Sequence, residues 1–294
     1  MALPGASQVG WYGKLPAFGD FASRRLPSAF IRDYDAWLAQ SLLHARTLLG
    51  TDWTQTYLDC PVWRFLLPPG VLGPEQHETW AGVMMASVDR VGRQFPFTLA
   101  AALEGVIEPS ENLPALVRWW TGLEDVALDA LQNDLDGDAL DAELEALFSG
   151  AVPRPSSFAP MDPVSTDGFS IDDFGLDPPE SDLLIPDFPA SGVVAANAAA
   201  GMLDDVLSGD APSGTHEAAG YNDAELSQAA WLGALLPESG FPASGHSLWS
   251  VTPTQGAAPC LAVHCVAGMP DVFQFVAMLR TRPALIRTSI DPET

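Results

Sequence analysis

The stretch Trp80–Leu103, WAGVMMASVDRVGRQFPFTLAAAL, carries the residues best placed to do chemistry. Nearly apolar residues run straight into Ser87, Asp89, Arg90, Gly92 and Arg93, and an apolar run resumes at Phe95. Chains normally leave a core through Gly, Pro, Asn or Ser, not through an aspartate accompanied by arginines. Arg90 and Arg93 are three apart and can converge on one carboxylate or phosphate, because guanidinium is a planar fork of donors. Three readings stay open: a salt-bridged turn in which Asp89 accepts from backbone N–H groups and one arginine, a surface that contacts a partner, or a catalytic group. Ser87 does not complete a nucleophilic site, since no histidine sits nearby to act as its base. The enzymatic alternative is a hydrolase or phosphate-handling protein that uses Asp89, Arg90 and Arg93 together with Asp20.

Lys14 is the sole lysine of the chain and lies between Gly13 and Gly19. No Gly-Lys-Ser/Thr closes that segment, so it is not a phosphate-binding loop. The glycines are expected to supply turns, and Lys14 to pair with an acid such as Asp20. Cys260, His264 and Cys265 share one strand-like run, in which 260 and 264 fall on one face and 265 on the other, so a closed metal site is not expected. The sequence QNDLDGDALDAE at 132–143 has part of a calcium-loop spacing. Gln132 stands where the first aspartate belongs, and the stretch reads as a solvated acidic turn. The five histidines show no metal spacing, and no cofactor is expected.

These groups need elements to hold them. Residues 8–13 read as a strand. The spacing of Phe30, Tyr34, Leu38, Leu42, Ala45 and Leu49 predicts a helix over 27–49, capped at Ser28 and stopped at Gly50. Val62–Leu67 reads as a strand, and Ala81–Val88 and Phe95–Leu103 as buried strands in the middle of a sheet. Helical spacing returns over Leu113–Leu131, with Asn112 as cap and Pro114 in the first turn. A second, acidic helix is expected over Asp138–Phe148. Beyond it come a weak helix at Val193–Leu207, a helix at Asp223–Leu236, strands at Ser247–Val251 and Cys260–Val266, and a last helix at Asp271–Arg280. Trp11, Trp37, Trp53, Trp63 and Trp80 are read as core, with any exposed member a natural interface anchor.

The formal charge of −25 over 294 residues is unevenly placed. Residues 1–103 hold 8 acidic and 8 basic side chains, whereas residues 104–210 hold 23 acidic and 2 basic. No clustered basic surface exists for phosphate backbones, which argues against nucleic acid as a partner. No run approaches the ~20 apolar residues of a membrane span, so no membrane insertion is expected. The start shows no signal-peptide pattern, and three scattered cysteines suit a reducing compartment; the expected location is cytoplasmic. Between about 150 and 189 proline, serine and aspartate dominate, a composition that cannot offset its ordering entropy by burial. The expected organisation is a core over 1–149, an acidic insertion or linker over 150–220, largely disordered, and 221–294 completing the same core. Phe169, Phe174 and Phe188 could make the insertion a docking arm.

The blocks GWYGKLPAFGDF (10–21), DAWL (35–38), YLDCPVWRFLLPPGVLG (57–73) and WAGVMMASVDRVGRQFPFTLAA (80–101) resemble, in this order, the TagF (ImpM) family of type VI secretion accessory proteins. SLWSV at 247–251 is a weaker echo, with Ser250 where the family tends to carry a second tryptophan. The resemblance implies a single α/β (α+β) domain in which a mainly antiparallel central sheet is flanked by helices in a three-layer-like arrangement. It further implies a cytoplasmic, non-enzymatic regulator that represses type VI secretion after translation by binding a component such as the forkhead-associated scaffold protein. Phosphatase activity, found in fused relatives, is not carried over, since the metal-binding aspartate motifs are missing. Lys14, Asp20, Trp63, Arg64, Asp89, Arg90 and Arg93 are the partner-binding candidates.

Overall fold

In the computed structural model the described residues are 6–104, 109–149, 229, 245–251 and 262–281. The acidic stretch 150–220 lies outside them, as do the helices expected at 193–207 and, apart from Ala229, at 223–236.

Seven strands form one sheet: β1 Gly10–Gly13, β2 Ala22–Arg24, β3 Trp63–Leu67, β4 Thr79–Met85, β5 Phe97–Leu103, β6 His246–Val251 and β7 Ala262–Ala267. Their order is β2-β1-β5-β4-β3-β6-β7, and neighbouring strands pair antiparallel throughout. The expected mixed α/β fold with an antiparallel sheet is what the chain adopts. β6 pairs with β3, so strands from either side of the acidic stretch share one sheet.

Strand alternation sorts the side chains into two cores. Trp11, Leu66, Val83, Met85, Phe97, Leu99 and Leu248 face the layer of α3 (Pro109–Gln132) and α4 (Gly137–Ser149). Tyr12, Trp63, Phe65, Leu67, Met84, Trp249 and Val251 face α1 (Ser28–Leu49), α2 (Trp53–Leu58) and α5 (Val272–Arg280). Because β4 and β5 are covered on both faces, they read as continuous apolar runs rather than alternating ones.

Local chemistry explains the helices. α1 buries the periodic stripe Phe30, Tyr34, Leu38, Leu42, Ala45 and Leu49 and stops at Gly50, whose φ is 53°. Ser28 is its first residue rather than its cap; Pro27 takes the cap position without a side-chain hydrogen bond. α3 begins at Pro109, earlier than Asn112 suggested, which leaves Pro114 inside the helix. α5 has a full capping box between Asp271 and Gln274. Gly82 on β4 is small for a packing reason: a Cβ there would lie 2.1 Å from the Leu99 carbonyl oxygen and 2.6 Å from Phe65 Cζ.

Candidate functional site

The β4–β5 connection, residues 86–96, folds back on itself. The amide of Phe95 donates to the Ser87 carbonyl (3.1 Å), that of Asp89 to Arg93 (3.1 Å), and that of Gly92 to Asp89 (2.9 Å). α2 fixes its base, since the buried Tyr57 hydroxyl donates to the Ser87 carbonyl (2.8 Å) and accepts from the Ser87 amide (3.0 Å). Burial pushes the Tyr57 phenol well above its ordinary range, so it stays a neutral donor.

Asp89 sits at the centre, its side chain fully buried. Its Oδ1 accepts from the amides of Val91 (3.1 Å) and Arg93 (2.8 Å), and its Oδ2 from Lys14 Nζ (3.0 Å) and Arg93 Nε (2.6 Å). Burial alone would raise the carboxyl's pKa. The Arg93 amide and the Lys14 and Arg93 side chains outweigh it and hold the group down to about 2. Lys14 therefore pairs with Asp89, 75 residues away, and not with Asp20. Asp20 is exposed, and its Oδ1 accepts from the Phe21 amide instead (2.8 Å).

The loop that follows β1 is strapped to this turn. Arg90 donates from its guanidinium to the Ala17 carbonyl (2.8 Å) and from its amide to the Phe18 carbonyl (3.2 Å), while Arg93 donates to the Gly19 carbonyl (2.6 Å). The Ser87 hydroxyl donates to the Lys14 carbonyl (2.6 Å). Segments 14–21 and 87–95 thus form one clasp around a buried ion pair. Arg90 is exposed, and the Arg93 side chain remains 40% exposed. Beside Arg90 opens a shallow hollow of about 550 Å³, lined by Pro16, Ala17, Asp89, Arg90, Asp134 and Asp136.

Two of the expected contact residues are elsewhere. Trp63 and Arg64 are both 0% exposed, so neither offers surface to a partner. β3 is an interior strand covered on both faces, which buries consecutive side chains on opposite sides. Trp63 joins the core beneath α1. Arg64 points to α3, where it makes a bidentate pair with Glu124 (2.7 Å twice) and donates to Thr121 Oγ1 (3.0 Å). This pair holds the sheet to the helix layer.

The acidic turn at 132–143 is occupied by the fold. Asp136 Oδ1 accepts from the amides of Asp138 (3.0 Å) and Ala139 (2.9 Å) and so caps α4. Asp138 and Asp141 both take Arg24 (2.7 and 2.8 Å), Asp141 also takes Trp11 Nε1 (3.0 Å), and Glu145 takes Arg25 (3.2 Å). Burial works against the Asp141 carboxylate, but Arg24 and Trp11 keep its pKa below the usual range.

The residues named from sequence thus split. Lys14, Asp89, Arg90 and Arg93 come together with Ser87, Asp20 lies on the clasp's rim, and Trp63 and Arg64 belong to the core. Sequence reasoning missed Phe21 and Val91, 47% and 67% exposed on the clasp, although Phe21 stands within the GWYGKLPAFGDF block.

A family model described as TagF N-terminal domain, type VI secretion system-associated, matches residues 10–147. No curated protein matches the chain. Among solved structures, the crystal structure of PA0076 from Pseudomonas aeruginosa PAO1 is 27% identical, covers 92% of this chain and 93% of its own, and gives a TM-score of 0.51. The matched segment contains β1 to β5, α1 to α3 and most of α4, and hence the whole clasp. Residues 10–147 are a TagF N-terminal domain, a domain associated with the type VI secretion system.

Proposed function

We propose that this protein is a non-enzymatic, cytoplasmic regulator that represses type VI secretion after translation by binding a component of the apparatus. The forkhead-associated scaffold protein is the partner this reading names. The observation that carries it is the clasp within the matched domain, where a rigid buried ion pair holds an arginine-bearing surface outward. A preorganised surface suits binding, because little conformational freedom is lost on contact.

The chemistry at Asp89 supports contact over catalysis. Both of its oxygens are filled by four donors, leaving it poorly suited to act as a base. The Ser87 hydroxyl is 2% exposed and already donates to a carbonyl. No helix among the described residues is long and apolar enough to cross a membrane, which fits a regulator that acts from the cytoplasm.

The test is secretion itself. Raising the level of this chain in a secretion-competent cell is expected to lower the apparatus proteins in the culture supernatant without changing their cellular amounts. Deleting its gene is expected to raise them. Unchanged secretion in both cells would refute the regulatory reading.

A further inference from the structure

Six large apolar side chains are strongly exposed among the described residues: Phe21, Leu43, Leu48, Leu58, Val91 and Phe273. Four belong to α1, α2 and α5, where isolated exposed leucines and phenylalanines are ordinary. Phe21 and Val91 differ, because both ride on the clasp. Val91 occupies the outer end of the 87–95 turn, a place usually given to Gly, Asn, Asp or Ser. Its amide serves Asp89, but any residue other than proline could do that. Its side chain stands 67% exposed.

Phe21 is fixed on its inner side. Its ring stacks on Tyr12 (6.0 Å between centroids), meets Phe95 edge-on (4.7 Å) and carries Lys14 Nζ 4.9 Å from its centroid. The rest of the ring faces water. Arg90 has no carboxylate within ion-pair distance among the described residues, and its one side-chain hydrogen bond, to Ala17, anchors the guanidinium. An aromatic, an aliphatic and an arginine are thus all carried outward by one hydrogen-bonded clasp, the composition of an interface anchor.

We infer that Phe21, Arg90 and Val91 form a docking ridge for a protein partner whose surface offers an apolar pocket edged by carboxylates. This rests on the binding reading given above and names the surface and the chemistry it takes. Arg90 without its own acid sets the sign of the pocket's edge. Asp134 and Asp136 share the hollow beside Arg90 and repel an acid there. A partner carboxylate that reaches Arg90 therefore approaches from outside that hollow.

The experiment uses the full chain and the purified forkhead-associated scaffold protein of the same apparatus. Affinity is measured by titration calorimetry for wild type, Phe21→Ser, Arg90→Glu, Val91→Asp and the distant control Leu43→Ser. Thermal melts within ~4 °C of wild type establish that the variants fold. Expected is about a tenfold or greater weakening for the three ridge variants and none for the control. Wild-type binding with Val91→Asp and Arg90→Glu both within about twofold of it overturns the ridge. If the scaffold fails to bind wild type, that choice of partner is wrong and the secretion assay decides. Val91→Asp that no longer represses keeps the ridge with another partner, and Val91→Asp that represses normally overturns it. A wild-type dimer in sedimentation that Val91→Asp dissolves replaces the proposed partner by a second copy and also overturns it.

Discussion

Asp89→Ala removes the acceptor of four hydrogen bonds in one step. The Lys14 ammonium, 7% exposed in its side chain, is then left, among the described residues, with the Phe21 ring as its remaining contact. Breaking a buried ion pair by deleting one partner costs about 3–5 kcal/mol. The two orphaned amides add to that, although not additively, since the clasp loosens as one unit. We expect a loss of ~4 kcal/mol, a large part of the ~5–15 kcal/mol that domains have. Urea unfolding followed by tryptophan fluorescence reads it as a shift in midpoint at constant slope. Asp89→Asn keeps the oxygen for the two amides and loses the charge, so ~2–3 kcal/mol is expected. The pH dependence adds a second check. The folded carboxyl lies at about 2, below the ~3.9 of an unfolded aspartate. Its stabilisation, ~2–3 kcal/mol by linkage, is present above pH ~4 and is lost as pH falls through ~2. Asp89→Asn should lack that part of the acid transition. A loss under ~1 kcal/mol for Asp89→Ala would refute the claim that the buried carboxylate holds the clasp.

Other perturbations separate fold from contact. Arg64→Ala leaves Glu124, 12% exposed in its side chain, without its main cation and should cost ~3–5 kcal/mol in the same urea assay; Arg64→Met with Glu124→Leu should recover most of it. Gly82→Ala should destabilise by ~2–3 kcal/mol or abolish soluble expression, because its methyl meets backbone at 2.1 Å. Asp271→Ala removes the capping box of α5 and should cost ~1 kcal/mol by thermal melting.

Elements whose evidence is local were legible in the chain. α1 announces itself through the stripe from Phe30 to Leu49 and a glycine stop, and β4 and β5 through apolar runs on either side of a charged turn. The composition of the clasp was legible too, since Asp89 accepts from backbone amides and one arginine as the motif suggested. What stayed hidden depends on distant pairing. Lys14 finds its carboxylate 75 residues on, while the nearer Asp20 is spent on a backbone amide. Arg64 looks like a surface cation, but β3 has a layer on each face and Glu124 reaches it from α3, 60 residues away. Phe21 and Val91 carry no signal in a single sequence, because exposure is a property of the assembled surface.

If the outward arginine face of the clasp acts by contact, Arg90→Glu separates folding from function when melting temperature and repression of secretion are measured on the same variant. The side chain is exposed and gives up one hydrogen bond to a carbonyl, so the melt should stay within ~4 °C of wild type. Repression should be lost. Full repression by a folded Arg90→Glu protein, or its unfolding, would contradict the claim.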